Sequence, residues 1–211
     1  TITALSSLED PKSINDTKLK LSKIQGFKKD LEVRVMWQRE PAPLAVVLLG
    51  LGTRSRSIMA RTFESYLYEA GYHILTFDSP FLPSFSDRSR HGVAGNMTAE
   101  ATLAANIIEA TMKSGKSKGM VTKIGIVGAS YGGILALNIA KLAKEGKICI
   151  TPSAVLAISP PVNMRAAAAR LDKWWAEDRW SYKLADLYAD LADHKPVPEG
   201  QAIPFPDEEM R

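Results

Sequence analysis

Cysteine is almost missing from this chain: Cys149 is the single one in 211 residues. A lone thiol excludes an internal disulfide, and its place in the strand-like stretch 148–150 predicts a buried, inert group. Histidine is nearly as scarce, at positions 73, 91 and 194 only. None of the three stands in a cluster with metal-ligand spacing, so no metal and no cofactor is expected. No apolar run approaches the roughly 18–20 residues that a membrane span needs. The charge is also unremarkable, a formal net +4 from scattered basic residues. Without a basic stripe interleaved with aromatics, a nucleic-acid partner is not expected. The chain opens on Thr1 and not on methionine, so no compartment is read from its N-terminus.

What remains is ordinary globular composition, 45% hydrophobic and 24% charged, with enough length for one real core. The first residues, to about Pro11, form a polar arm. Alternating apolar residues over 19–24 and 31–37, separated by 26–30, predict an antiparallel hairpin. A continuous apolar run over 44–49 reads as a strand covered on both faces. A helix from about Ser57, with Ile58, Phe63, Tyr66 and Leu67 on one side, closes at Gly71. Next come a strand over 72–77 ending at Asp78, a long polar loop over 79–95, and a helix capped by Thr98 that ends near Gly115. A strand over 123–127, a helix over 134–142 that is apolar on nearly every face, as a buried helix would be, and a strand over 154–158 complete the alternation. The prediction is an α/β fold, a mainly parallel sheet with helices on both faces, preceded by an antiparallel hairpin. After Pro160 and Pro161 the character changes. Residues 163–193 read as helical and gather Trp174, Trp175, Trp180, Tyr182 and Tyr188; the tail from His194 is acidic and proline-rich. Two regions are therefore expected, 1–161 as the core and 162–211 as a helical cap segment with its tail. There are no internal repeats.

The densest chemistry lies at the end of the fifth strand, where Gly128-Ala-Ser130-Tyr131-Gly132 forms G-x-S-x-G before a helix. A serine hydroxyl becomes a useful nucleophile when an exposed, strained turn holds it beside a base. Gly128 and Gly132 remove the side chains that would collide where strand and helix meet so sharply. Ser130 is the candidate nucleophile. Asp78 reads as structural, because it precedes the serine and leads into the Pro80 loop. Arg54 and Arg56 read as a solvated pair.

These landmarks resemble the α/β-hydrolase family over roughly residues 19–161. Residues 46–52, Val-Val-Leu-Leu-Gly-Leu-Gly, are similar to its oxyanion-strand motif, with Gly50 and Gly52 as motif glycines and Leu49 where a histidine is common. Residues 71–78 are similar to its next strand with a terminal aspartate, and 128–133 to its nucleophile elbow. The resemblance implies an acyl-enzyme on Ser130, with the backbone N–H groups of Leu51 and Tyr131 as the oxyanion hole. It also implies that a helical cap begins near residue 163. The expected reaction is cleavage of an ester, thioester or amide that carries apolar groups. The family draws its acid and histidine from two later strands. This chain stops before them, and His194 is its only histidine after Ser130. The expectation is that the C-terminal portion carrying base and acid is missing, leaving an open sheet edge for a second copy or a partner chain to cover. Two rivals stay open. One is a non-catalytic, hydrolase-like binding or assembly module. The other is a nucleotide-binding protein that uses the Gly50-Leu51-Gly52 loop and Asp78, although Ser55 stands where such a loop has its third glycine.

Overall fold

A computed structural model describes residues 16–90, 94–115 and 119–176. Six strands form one sheet: β1 (Asp16–Leu21), β2 (Leu31–Met36), β3 (Ala42–Leu48), β4 (His73–Thr76), β5 (Val121–Ala129) and β6 (Ala154–Ile158). The helices are α1 (Ile58–Glu69), the short α2 (Pro83–Ser86), α3 (Met97–Lys113), α4 (Tyr131–Lys144) and α5 (Met164–Ala176). The strand order is β1-β2-β4-β3-β5-β6. β1 pairs antiparallel with β2, and β2 antiparallel with β4. β4, β3, β5 and β6 are mutually parallel. The expected hairpin and parallel sheet are both present.

The apolar run in β3 shows why the sheet is covered twice. Leu44, Val46 and Leu48 join one buried cluster with Leu103 and Ile107 of α3 and with Leu135 and Ile139 of α4. Ala45, Val47 and Leu49, pointing the other way, pack with Ala60, Phe63 and Leu67 from α1. Alternate residues of a strand face opposite sides, so a strand with no polar position must carry a layer on each.

From β3 the chain passes to β4 on one side and later to β5 on the other. A crevice opens beyond the strand ends where the order reverses in this way, and ligands of open α/β sheets bind there. Ser130 and residues 50–52 lie at these ends.

Several local expectations are corrected. The N-cap of α3 is Asn96, whose side chain accepts from the Ala99 N–H, and not Thr98. Asparagine supplies a carbonyl at the required reach, so the helix starts a turn fraction earlier. Of the four apolar residues expected on one side of α1, Phe63 and Leu67 pack inward beside buried Ala60 and Glu64, while Ile58 and Tyr66 are exposed. The Glu64 carboxylate is buried there because Arg34 from β2 meets it at 3.2 Å. The loop over 79–95 holds α2, and Phe85 there is buried against Phe27 and Phe77. On α4, Leu137 is exposed, so this helix is not buried all round. Residues 148–150 are no strand, and Cys149 is exposed between partly buried Ile148 and buried Ile150. Partial desolvation and the nearby Glu109 still hold its thiol above the ordinary range, which keeps it protonated.

The chain separates into two compact units after Met164. The described part of the second is α5. Trp180, Tyr182, Tyr188, His194 and the proline-rich tail lie outside the described residues, as does His91. No helix among the described residues is long and apolar enough to cross a membrane.

Candidate active site

β5 ends at Ala129, α4 begins at Tyr131, and Ser130 is the whole connection. Its backbone has φ 52° and ψ −121°, on the left-handed side that non-glycine residues avoid. Such a conformation costs on the order of 1–3 kcal/mol and persists only where the surroundings enforce it. Here they do. The Ser130 N–H donates to the Ile158 carbonyl of β6 at 2.9 Å, and the Ser130 carbonyl accepts from Gly133 N–H at 2.9 Å. The side chain is exposed at the surface.

The glycines on either side are required by contact. A Cβ on Gly128 would stand 2.1 Å from the Gly132 carbonyl oxygen, and one on Gly132 would stand 2.2 Å from that of Leu48. Both distances fall inside van der Waals contact, so no side chain fits. Helix α4 can therefore begin directly against β3 and β5, and its unpaired N-terminal amides end beside Ser130.

The loop after β3 comes to meet this serine. A Cβ on Gly50 would stand 3.6 Å from Ser130 Cβ and 3.9 Å from its hydroxyl oxygen. Gly50 also accepts from Thr53 N–H at 3.3 Å, closing a turn whose third residue, Gly52, has φ 63°. Only glycine takes that position without strain. Leu51, the second residue of the turn, is exposed. Neither the Leu51 nor the Tyr131 N–H donates to another group among the described residues.

Two charged side chains brace this loop. Arg34, paired with Glu64, donates to the Ser55 carbonyl. From the other side Asp78 Oδ1 accepts the Ser55 N–H at 2.8 Å, while Oδ2 accepts from the Ser84 hydroxyl. Asp78 thus ties the 50–57 loop to α2, as its structural reading requires. A carboxylate engaged this way is a poor ligand for a ribose, which weighs against the dinucleotide reading. Arg54 and Arg56 are exposed.

Tyr131 is fully buried, and its hydroxyl donates to Glu100 Oε2 at 2.6 Å. Burial, and then the Glu100 carboxylate, push the phenol well above its ordinary range, so it remains a donor. Sequence reading missed this pair and the Arg34–Glu64 pair. The available signal was an acid within an alanine-rich helical stretch, at Glu100, and one opposite a basic strand residue, at Glu64. A second serine in an unusual conformation was missed too: Ser159, just after β6, has φ 46°.

His73, the one histidine among the described residues, is at the other end of the sheet. It is wholly buried, its Nδ1 accepts from Gln38 N–H at 2.9 Å, and its Nε2 lies 2.9 Å from the Met120 carbonyl. It does not reach Ser130. Among the described residues no group of three or more His, Cys, Asp or Glu is placed to hold a metal ion.

The sequence profile of the alpha/beta hydrolase family matches residues 45–208. The chain belongs to the α/β-hydrolase family. Two solved structures show the same fold. An esterase from Pyrococcus furiosus is 18% identical, with a TM-score of 0.56 over 93% of this chain and 66% of its own. A dienelactone hydrolase from Anabaena variabilis is 20% identical, with a TM-score of 0.52 over 66% of this chain and 61% of its own. This α/β-hydrolase chain therefore spans less than two-thirds of the length of either. No curated protein matches it by sequence.

Proposed function

We propose that this chain is the nucleophile-bearing part of a serine hydrolase that cleaves an ester, thioester or amide with apolar groups. One observation carries the reading: an exposed serine in a left-handed backbone, facing a glycine turn, at the reversal point of the sheet. Family membership and the two similar folds, an esterase and a dienelactone hydrolase, support it.

In this reading the Ser130 hydroxyl attacks the substrate carbonyl. The carbonyl oxygen takes up negative charge where the amides of Leu51 and Tyr131 donate to it, and the leaving group departs from a tetrahedral intermediate. Water then releases the acyl group from Ser130. Each such donor is worth roughly 10²–10³-fold in rate. The glycines at 50, 52, 128 and 132 let the two backbones approach closely enough to share one oxygen. The base that takes the serine proton, and the acid that orients it, come from residues outside the described ones. Exposed Leu51 and Phe81, the latter against Tyr131, give the mouth an apolar rim. In this reading the second compact unit, of which α5 is the described part, is the cap segment.

A second reading has one observation in its favour. No described histidine lies near Ser130, as expected of a non-catalytic binding or assembly module. Hydrolysis of short-chain p-nitrophenyl esters separates the two. Turnover that vanishes in Ser130→Ala supports the hydrolase; a folded wild type without turnover is the module, and turnover unchanged by the substitution contradicts both.

A further inference from the structure

Tyr131 contributes its backbone amide to the proposed hole, yet its side chain is anchored in its own right. The ring is 1% exposed, its edge contact with Phe81 has centroids 4.9 Å apart, and its hydroxyl meets Glu100 at 2.6 Å. Glu100 lies on α3 and is itself only 3% exposed. Its second oxygen accepts the Gly95 N–H. A buried carboxylate is tolerated only when its lone pairs are filled, and both oxygens are. Packing alone needs no such acid, since an apolar side chain fills the same space without the desolvation cost.

We propose that Glu100, acting through the Tyr131 phenol, is a positioning residue that fixes the direction of the Tyr131 N–H; this rests on the hydrolase reading given above. The reason lies in Ser130. A strained residue relaxes by rotating its own ψ and the φ of its successor, and that rotation swings the peptide plane carrying the Tyr131 N–H. On the serine side, the plane is held by Ser130 N–H to Ile158 and by Gly133 N–H to the Ser130 carbonyl. On the other side Tyr131 opens the first turn of α4, and its side chain is pinned at its far end to α3. Without the pin, the strain at 130 drains into a misdirected amide. The buried acid thus keeps the donor aimed without touching substrate.

The test uses the whole chain and the variants Glu100→Gln, Tyr131→Phe and the double substitution. Two quantities are measured: the NMR order parameter of the Tyr131 N–H, and the rate at which a fluorophosphonate modifies Ser130. The wild-type order parameter is expected near the rigid value of about 0.85, falling toward roughly 0.6 in either variant. Modification slows about tenfold with the half-saturating probe concentration unchanged, and the double variant is no slower than the slower single one. Tyr131→Phe keeps the ring packing and decides alone if Glu100→Gln fails to fold. A rigid Tyr131 amide in folded variants overturns the proposal. So does a modification rate within twofold of wild type despite a loosened amide. A loosened amide in a protein whose wild type takes no probe supports the anchor and counts against the hydrolase reading instead.

Discussion

The two ends of the central sheet use polar residues in opposite ways. At the N-terminal end of β4, His73 is buried, bonded to backbone at both ring nitrogens and packed edge-on to Trp37 at 5.0 Å. At the C-terminal end of β5, Ser130 is exposed, strained, and without a hydroxyl partner among the described residues. A buried polar group whose bonds are all made contributes to stability and has nothing left to offer a ligand. A strained, open one costs stability and keeps its chemistry available. The histidine is the expensive-looking residue, and it is the structural one.

Substitutions sharpen this contrast. The largest effect is expected at the brace beneath the 50–57 loop. Glu64→Ala leaves the Arg34 charge buried at the loop and lowers unfolding free energy by about 3–5 kcal/mol in urea titration. Gly132→Ala drives a methyl against the Leu48 carbonyl; a loss of about 3 kcal/mol is expected. At the opposite end, His73→Ala opens a cavity and orphans the Gln38 N–H, for about 2–3 kcal/mol. Its folded fraction should nevertheless react at Ser130 at the wild-type rate. A slowed reaction there would erase the distinction between the two ends. The smallest effect has the opposite sign. Ser130→Gly relieves the left-handed strain and raises the unfolding free energy by about 1 kcal/mol, with a higher melting temperature, while all reaction is lost. A destabilised Ser130→Gly would mean that the backbone at 130 is not strained.

The sheet was legible because its strands obey simple patterns. Alternation marked β1 and β2, while unbroken apolar runs marked β3 and the parallel strands beside it. The sharp turn between β5 and α4 was legible because glycines at 128 and 132 flank a serine at a strand–helix junction. What escaped depends on contacts between distant segments. Nothing near Glu64 announces Arg34, 30 positions earlier on β2, and nothing near Tyr131 announces Glu100 on α3. The inward side of α1 was read only in part for that reason, since Glu64 counts as polar until its partner is known. At the start of α3 two cap-competent residues, Asn96 and Thr98, stand close together, and propensity alone does not rank them. Leu49, where related loops often carry histidine, packs in the core beside Ala60; the 50–52 turn keeps its form because Gly52 and the Ser55 brace set it.

The most direct trial of the account is to locate a covalent adduct. After exposure to a phosphonate electrophile, the intact protein should gain the mass of a single adduct, and peptide mapping should find it on Ser130. An adduct on another side chain, or a folded protein that gains no mass, would contradict the claim that this strained elbow presents a reactive hydroxyl.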